Sequence, residues 1–150
     1  MIPKTFLLVE DDSDDSEMFT EAIVAVDASV RCYSAADGRE AINKLTEGVI
    51  APPPDLIFLD INMPEMNGWQ VLDRLKKDQG LQRIPVIMYS TSSHPRDIQN
   101  ASAKGALCFL TKPNSFPHLK KILEVVVNHV SLNQLDAVCE AVHRLNPRMS

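Results

Sequence analysis

Residues 55–60 read DLIFLD, and this stretch decides the fold class. Four apolar residues follow one another without a break and end at an acid. A short, unbroken apolar run is typical of a strand that is covered on both faces, as in a parallel sheet. Four further runs share this character: TFLLV (5–9), VRCYS (30–34), PVIMYS (85–90) and ALCFL (106–110). With the segments between them, they predict a doubly wound (βα)5 α/β domain with right-handed crossovers.

The segments between the runs carry the spacing of amphipathic helices. In the first, Met18, Phe19, Ala22 and Ile23 recur at intervals of three and four, which places them on one helix face. Two helix starts have a capping-box spacing, Asp14 with Glu17 and Asp37 with Glu40. We therefore expect the first two helices to be capped by Asp14 and Asp37.

The composition excludes several classes of protein. The chain has 150 residues, 45% hydrophobic and 23% charged, with a net charge of −5, which fits one globular domain and argues against a nucleic-acid surface. No apolar stretch approaches the roughly 18 residues that a membrane span needs, and the N-terminus does not read as a signal peptide. Three widely spaced cysteines show no metal-ligand pattern. A cytoplasmic protein with reduced thiols is expected.

Polar residues follow the strands at the point where each strand ends. Glu10 and Asp11 follow the first, Asp60 the third and Lys112 the fifth, and Ser90 ends the fourth. In a doubly wound sheet these strand ends meet at one edge, where ligands bind. Clustered carboxylates suit Mg²⁺, and a carboxylate, an alcohol and an ammonium group suit phosphoryl transfer to the carboxylate. The sequence predicts such a site at this edge.

Four stretches make the resemblance to a known family plain: FLLVEDD, LIFLDINMPEMNGW, IPVIMYSTSS and GALCFLTKP. Over roughly residues 4–130 the chain resembles the receiver domains of two-component response regulators, and DINMPEMNG is the most specific motif. The resemblance implies a flavodoxin-like strand order of 2-1-3-4-5. It also implies transfer of a phosphoryl group to Asp60 from a histidine kinase, with Mg²⁺ as the cofactor.

The family's roles can be carried over by position. Asp11, Asp60 and the backbone carbonyl of Asn62 match the metal ligands, and Glu10 matches the acid that acts mainly through water. Ser90 matches the hydroxyl that moves to the phosphoryl group, Lys112 the lysine that binds it, and Phe109 the aromatic switch that turns inward. The Lys112–Pro113 bond is expected to be cis.

A finer resemblance rests on STSS, residues 90–93, followed by Asp97 and Ile98. It is similar to the small single-domain regulators associated with bacterial phytochromes. A phytochrome histidine kinase is therefore the implied partner, and binding to a downstream protein is the implied output.

Other interpretations of the same residues stay open. One is a receiver-like interaction module that no longer uses phosphate. Another is an aspartate-nucleophile phosphatase of the haloacid dehalogenase type, but Asn62 stands where those enzymes carry an acid-base aspartate. We expect no enzyme activity beyond the chain's own phosphorylation and dephosphorylation. Asp14 and Asp15 are interpreted as helix N-terminal charge.

Residues 1–130 suffice for the receiver domain, and residues 131–150 form a helical extension without a separate effector domain. Four of its residues, Leu132, Leu135, Cys139 and Val142, recur at coiled-coil spacing, and Pro147 would mark its end. Two arrangements fit this pattern about equally: the helix packs back on its own domain, or it pairs with a second copy. We predict that the extension helps to build a homodimer.

Overall fold

The computed structural model describes residues 3–145, which contain a five-stranded parallel sheet with helices on both faces. The strands are β1 (Thr5–Val9), β2 (Arg31–Ala35), β3 (Leu56–Leu59), β4 (Val86–Ser90) and β5 (Cys108–Thr111). Their order across the sheet is β2-β1-β3-β4-β5, and every pair is parallel. The predicted fold class and strand order are confirmed.

Among the described residues, six α-helices alternate with or follow the strands. They are α1 (Ser13–Val26), α2 (Gly38–Thr46), α3 (Gly68–Lys77), α4 (Pro95–Ala103), α5 (Phe116–Ser131) and α6 (Val138–Leu145). Asp37 caps α2 as predicted, because its side chain accepts from the Glu40 amide. The cap predicted at Asp14 is wrong. Helix α1 begins two residues earlier, where Asp12 Oδ1 accepts from the Asp15 amide at 3.0 Å, so Asp14 already lies within the helix.

The sheet divides the core into two layers. Phe6 and Leu8 point towards α1 and α5, and Leu7 and Val9 point towards α2 and α3. All four side chains are essentially inaccessible, because a strand alternates its side chains between two covered faces. The helices leave the carboxyl ends of the strands as the edge at which polar groups can gather.

The extension beyond α5 packs back on its own domain. Val138 and Val142 of α6 are buried in the same core layer as α5. Val142 is therefore not available to a second copy, whereas Leu132 stays 63% exposed. Pro147 lies outside the described residues. Helix α6 thus packs on its own domain, and the formation of a homodimer stays a prediction.

One expected backbone feature is absent. Within residues 3–145 the cis peptide bond is Ala51–Pro52, so the prediction of a cis bond at Lys112–Pro113 is wrong. The trans isomer is intrinsically favoured before proline by about 0.5–1 kcal/mol. The expectation of a cis bond had come from the resemblance alone.

Membrane insertion is not indicated by any helix in the described part of the chain, since none of them is both long and apolar enough to cross a bilayer.

Candidate functional site

The backbone ladder of the sheet brings the first two acids of the site together. The Glu10 amide donates to the carbonyl of Ala35 at 2.9 Å, and the Asp60 amide donates to the carbonyl of Val9 at 3.0 Å. Each acid thus directly extends a strand at the carboxyl edge. Their residues are only 4% and 5% exposed, which is rare for ionisable groups that lack a partner.

Lys112 supplies the partner. Its Nζ lies 2.5 Å from Glu10 Oε2, 2.9 Å from Asp15 Oδ2 and 3.5 Å from Asp60 Oδ2, and its side chain is 9% exposed. The Lys112 amide donates to the carbonyl of Ser90 at 2.7 Å, so pairing between β5 and β4 fixes where the lysine leaves the sheet. The single ammonium group of Lys112 therefore forms ion pairs with three carboxylates.

Burial and charge shift the pKa values at this site. Burial, with a smaller contribution from the nearby Asp60 charge, raises the pKa of Glu10 to about 7, although the hydrogen bond with Lys112 acts to lower it. Burial lowers the pKa of Lys112, but its hydrogen bonds with Glu10 and Asp15 raise it by more. The lysine therefore stays charged, and Glu10 retains its proton more readily than an exposed glutamate does.

The acids form a group that can hold a cation. Glu10, Asp11 and Asp60 each offer a carboxylate oxygen, and these oxygens lie within 4.8 Å of one another. Asp11 is exposed, so the group opens to solvent. An all-oxygen donor set with open positions fits a hard divalent cation such as Mg²⁺, which keeps several waters.

The other three residues expected at the site differ in burial: two are buried and one is exposed. Ser90 is fully buried at the end of β4, and its Oγ accepts from the Ser92 amide at 3.3 Å. Asn62 is exposed in the loop after Asp60. Phe109 already lies inside the protein at 3% exposure, packed in the layer that contains α3 and α4, so its ring needs no inward turn to be buried.

The loop DINMPEMNG returns tightly to the acceptor strand. The Gly68 amide donates to the carbonyl of Ile61 at 2.8 Å. A Cβ at position 68 would lie 2.2 Å from the carbonyl oxygen of Asp60 and 2.8 Å from Ile61 Cα. Glycine is required here by close backbone approach. Asn67 and Gln70 then form a reciprocal capping box that starts α3.

Two contacts near the site were not predicted from the sequence. Asp15, interpreted as helix charge, binds Lys112 although 97 residues separate the two. Ser92 Oγ donates to Asp97 Oδ2 at 2.6 Å and ties the loop after β4 to the first turn of α4. No local spacing signals the first contact, whereas the STSS motif with its later aspartate contains both partners of the second.

A polar cleft of about 380 Å³ opens beside the lysine. Its lining includes Thr91, Ser93, Lys112, Asn114 and His118. These residues come from the loops after β4 and β5 and from the first turn of α5. The cleft gives small polar molecules a route to the carboxyl edge.

Comparisons with known proteins identify the family of this chain. The family model described as "Response regulator receiver domain" matches residues 6–124. Response regulator Rcp1 of Synechocystis sp. is 33% identical over 125 residues, which are 81% of this chain and 85% of Rcp1. A structure of the Mn²⁺-bound form of Rcp1 is similar with a TM-score of 0.73 at 32% identity, covering 83% of this chain and 91% of that one.

A second solved structure is that of the phosphorylated cyanobacterial phytochrome response regulator RcpA. It is 32% identical with a TM-score of 0.79, and the match covers 87% of this chain and 96% of RcpA. The family model spans most of this chain, and the matches to Rcp1 and RcpA cover most of both chains. With its acidic edge and its buried lysine, this chain belongs to the response regulator receiver domain family.

Proposed function

We propose that the chain is a phosphorylation-dependent response regulator that accepts a phosphoryl group on Asp60 from a histidine kinase. The observation that carries this proposal is the position of Lys112 Nζ, 3.5 Å from Asp60 Oδ2, at an edge where three carboxylates converge. A phosphoryl group on Asp60 brings further negative charge to this edge. The lysine is the cation in the described part of the chain that lies ready to neutralise it.

The transfer step follows from these groups. A carboxylate oxygen of Asp60 attacks the phosphorus of a phosphohistidine, the phosphorus–nitrogen bond breaks, and the imidazole leaves with the bonding pair. Lys112 moves from its carboxylate partners to a phosphoryl oxygen. Glu10, Asp11, Asp60 and the Asn62 carbonyl would hold Mg²⁺, which neutralises phosphoryl charge when it is bound.

The signal would then pass from Ser90, at the end of β4, along the following loop to α4. The Ser90 hydroxyl leaves the Ser92 amide and donates to a phosphoryl oxygen, and Phe109 repacks beside α4. This is a two-state element biased by new contacts. We propose that the changed surface, around α4 and β5, binds a downstream protein in the cytoplasm.

The relatives suggest the source of the phosphoryl group. RcpA is a phytochrome response regulator by description, and the motif of Ser92 and Asp97 is the feature through which this chain resembles that group. The Ser92–Asp97 hydrogen bond of 2.6 Å gives the motif a structural role. We therefore propose a phytochrome histidine kinase as the donor.

Acetyl phosphate tests the acceptor directly. Incubation with acetyl phosphate and Mg²⁺, followed by intact mass, is expected to show one phosphoryl adduct that is stable in acid and lost in base. Asp60→Asn abolishes it, and Asp14→Asn, an exposed acid on α1, leaves it unchanged. An adduct that survives in Asp60→Asn contradicts the proposed acceptor. No adduct in the wild type would favour the interaction module that does not use phosphate.

The metal is tested by its effect on stability. At a concentration ten times its dissociation constant, Mg²⁺ stabilises the folded state by about 1.4 kcal/mol, which raises Tm by roughly 3–5 °C in a chain of this size. Asp11→Asn removes one donor of the cluster and is expected to abolish most of this shift. An equal shift in Asp11→Asn would show that the cation binds elsewhere.

A further inference from the structure

Two of the three cysteines meet where α6 lies against the edge strand. Cys108 is the first residue of β5, and Cys139 lies in the first turn of α6. Cys139 Sγ donates to the carbonyl oxygen of Leu107 at 2.9 Å. Both cysteines pack against the core layer that contains α5. The sheet edge and the extension are thus joined by sulfur-containing side chains.

The two thiols are neighbours, because Cys139 Sγ bonds the residue directly before Cys108 and both cysteines line one cavity. The interaction between their side chains raises the pKa of Cys108 and lowers that of Cys139. Hydrogen bonding to a thiolate stabilises it, and the thiolate is the reactive form. By contrast, burial raises the pKa of Cys32 to about 11. Cys32 lies on β2, at the opposite edge of the sheet.

Small reagents can reach the pair. Both cysteines are free and only partly buried, and both line a cavity of about 230 Å³ that also touches His143 and Phe109. This cavity lies between α4, β5 and α6, away from the acids of the carboxyl edge. The geometry combines two cysteines on one cavity with access from solvent.

We propose that Cys108 and Cys139 form a reversible dithiol–disulfide pair, closed by a low-molecular-weight disulfide such as oxidised glutathione. The resulting bond ties α6 to β5. This proposal does not rest on phosphorylation of Asp60, and either can fail without the other.

The chemistry is thiol–disulfide exchange in two steps. The Cys139 thiolate attacks one sulfur of oxidised glutathione, a mixed disulfide forms, and one glutathione thiolate leaves. Cys108 then loses its proton and attacks the Cys139 sulfur, and the second glutathione thiolate leaves. Two protein thiols are oxidised, one molecule of oxidised glutathione is reduced to two thiols, and the two protons pass to those thiols.

Oxidation should stabilise the extension. Helix α6 has eight residues, and its buried side chains are Val138 and Val142, so little apolar surface holds it. A disulfide between Cys108 and Cys139 would stabilise the folded state mainly by constraining the unfolded chain. The expected rise in Tm is roughly 5–15 °C.

The experiment treats the folded wild type with oxidised glutathione and measures intact mass, peptide connectivity and Tm. The expected product is a monomer that has lost the mass of two hydrogen atoms, with a Cys108–Cys139 peptide pair and a higher Tm, and dithiothreitol reverses it. Cys32→Ser is the matched control and should behave like the wild type. Cys108→Ser should trap glutathione on Cys139, because the resolving thiol is missing.

Other products would overturn the proposal. A glutathione adduct that persists on Cys139 of the wild type shows that Cys108 does not resolve it. A disulfide-linked dimer shows that the partner thiol belongs to another copy. Unmodified thiols after equilibration show that the pair is not redox-active. The wild-type result decides the question even if a serine variant fails to fold.

Discussion

Replacing Gly68 by alanine should destabilise the protein, although a glycine-to-alanine change in a helix usually stabilises it. Within a helix, alanine is favoured over glycine by about 0.5–1 kcal/mol, since glycine loses more backbone entropy on folding. Gly68 is the first residue of α3, so helix propensity alone predicts a gain in stability. The close contact with the acceptor strand predicts a loss.

The magnitude follows from what the new Cβ would meet. It would lie 2.2 Å from the Asp60 carbonyl oxygen and 2.8 Å from Ile61 Cα, and both are backbone atoms that no rotamer change can move. Overpacking typically costs 1–3 kcal/mol, and rigid neighbours place Gly68→Ala near the upper end. After subtracting the helix gain, we expect a net loss of about 2 kcal/mol, or roughly 4–8 °C in Tm.

Urea unfolding followed by far-ultraviolet circular dichroism measures this loss. Gly80→Ala is the matched control, because its Cβ would meet only the side-chain Oδ1 of Asp78 at 3.3 Å. An unfolding free energy for Gly68→Ala equal to or above that of the wild type would refute the claim that the backbone of Asp60 and Ile61 cannot move aside for a Cβ. A variant that folds should also be phosphorylated more slowly, since relief of the clash moves the Asp60 backbone.

Three further predictions concern side chains around the site. Asp15→Asn frees Lys112 from a partly exposed ion pair worth about 1 kcal/mol, so phosphorylation by acetyl phosphate should be about fivefold faster. In metal-free buffer, folding raises the pKa of Glu10 from 4.5 to about 7. The free energy of unfolding should therefore fall as the pH rises from about 4.5 to 7, and Glu10→Gln should flatten this dependence of the urea midpoint on pH. Ser92→Ala removes the hydrogen bond to Asp97 and should speed amide exchange in the first turn of α4.

Neighbouring residues supply the controls. Asp14→Asn removes an equal charge from α1 and should not change the phosphorylation rate if proximity to the lysine is the cause. Ser93→Ala removes an exposed hydroxyl beside Ser92 and should leave amide exchange unchanged. A pH profile that stays steep in Glu10→Gln would assign the titration to another group.

The fold was predictable because its signal is local. Each buried strand is a short apolar run, and β3 begins within one residue of the run DLIFL. The start of α1 is not predictable from the capping-box spacing, because Glu17 gives that spacing to Asp14, whereas Asp12, which caps the helix, is followed three residues later by Asp15. The extension was open for a related reason, since an apolar seam looks the same whether it packs on its own domain or on a second copy.

The site was predictable only to the level of strand ends. The strand backbones bring Glu10, Asp60 and Lys112 to one edge of the sheet, independently of the rotamers of their side chains. Whether a given acid turns towards the lysine depends on helix rotation and side-chain rotamer, which sequence spacing does not encode. Asp15 turns towards it, and the more exposed Asp14 is not among the acids that contact Lys112.

The edge strand connects the two sites proposed for this chain. Cys108 begins β5 and Lys112 directly follows its end, four residues later and about 13 Å away at strand spacing, and the Lys112 amide is bonded to β4. A displacement of β5 on phosphorylation should therefore reach the thiol pair. Linkage requires the effect to be reciprocal: the factor by which oxidation changes the phosphorylation equilibrium must equal the factor by which phosphorylation changes the thiol–disulfide equilibrium. Measuring both with glutathione redox buffers tests this, and two factors of one would mean that β5 transmits nothing between them.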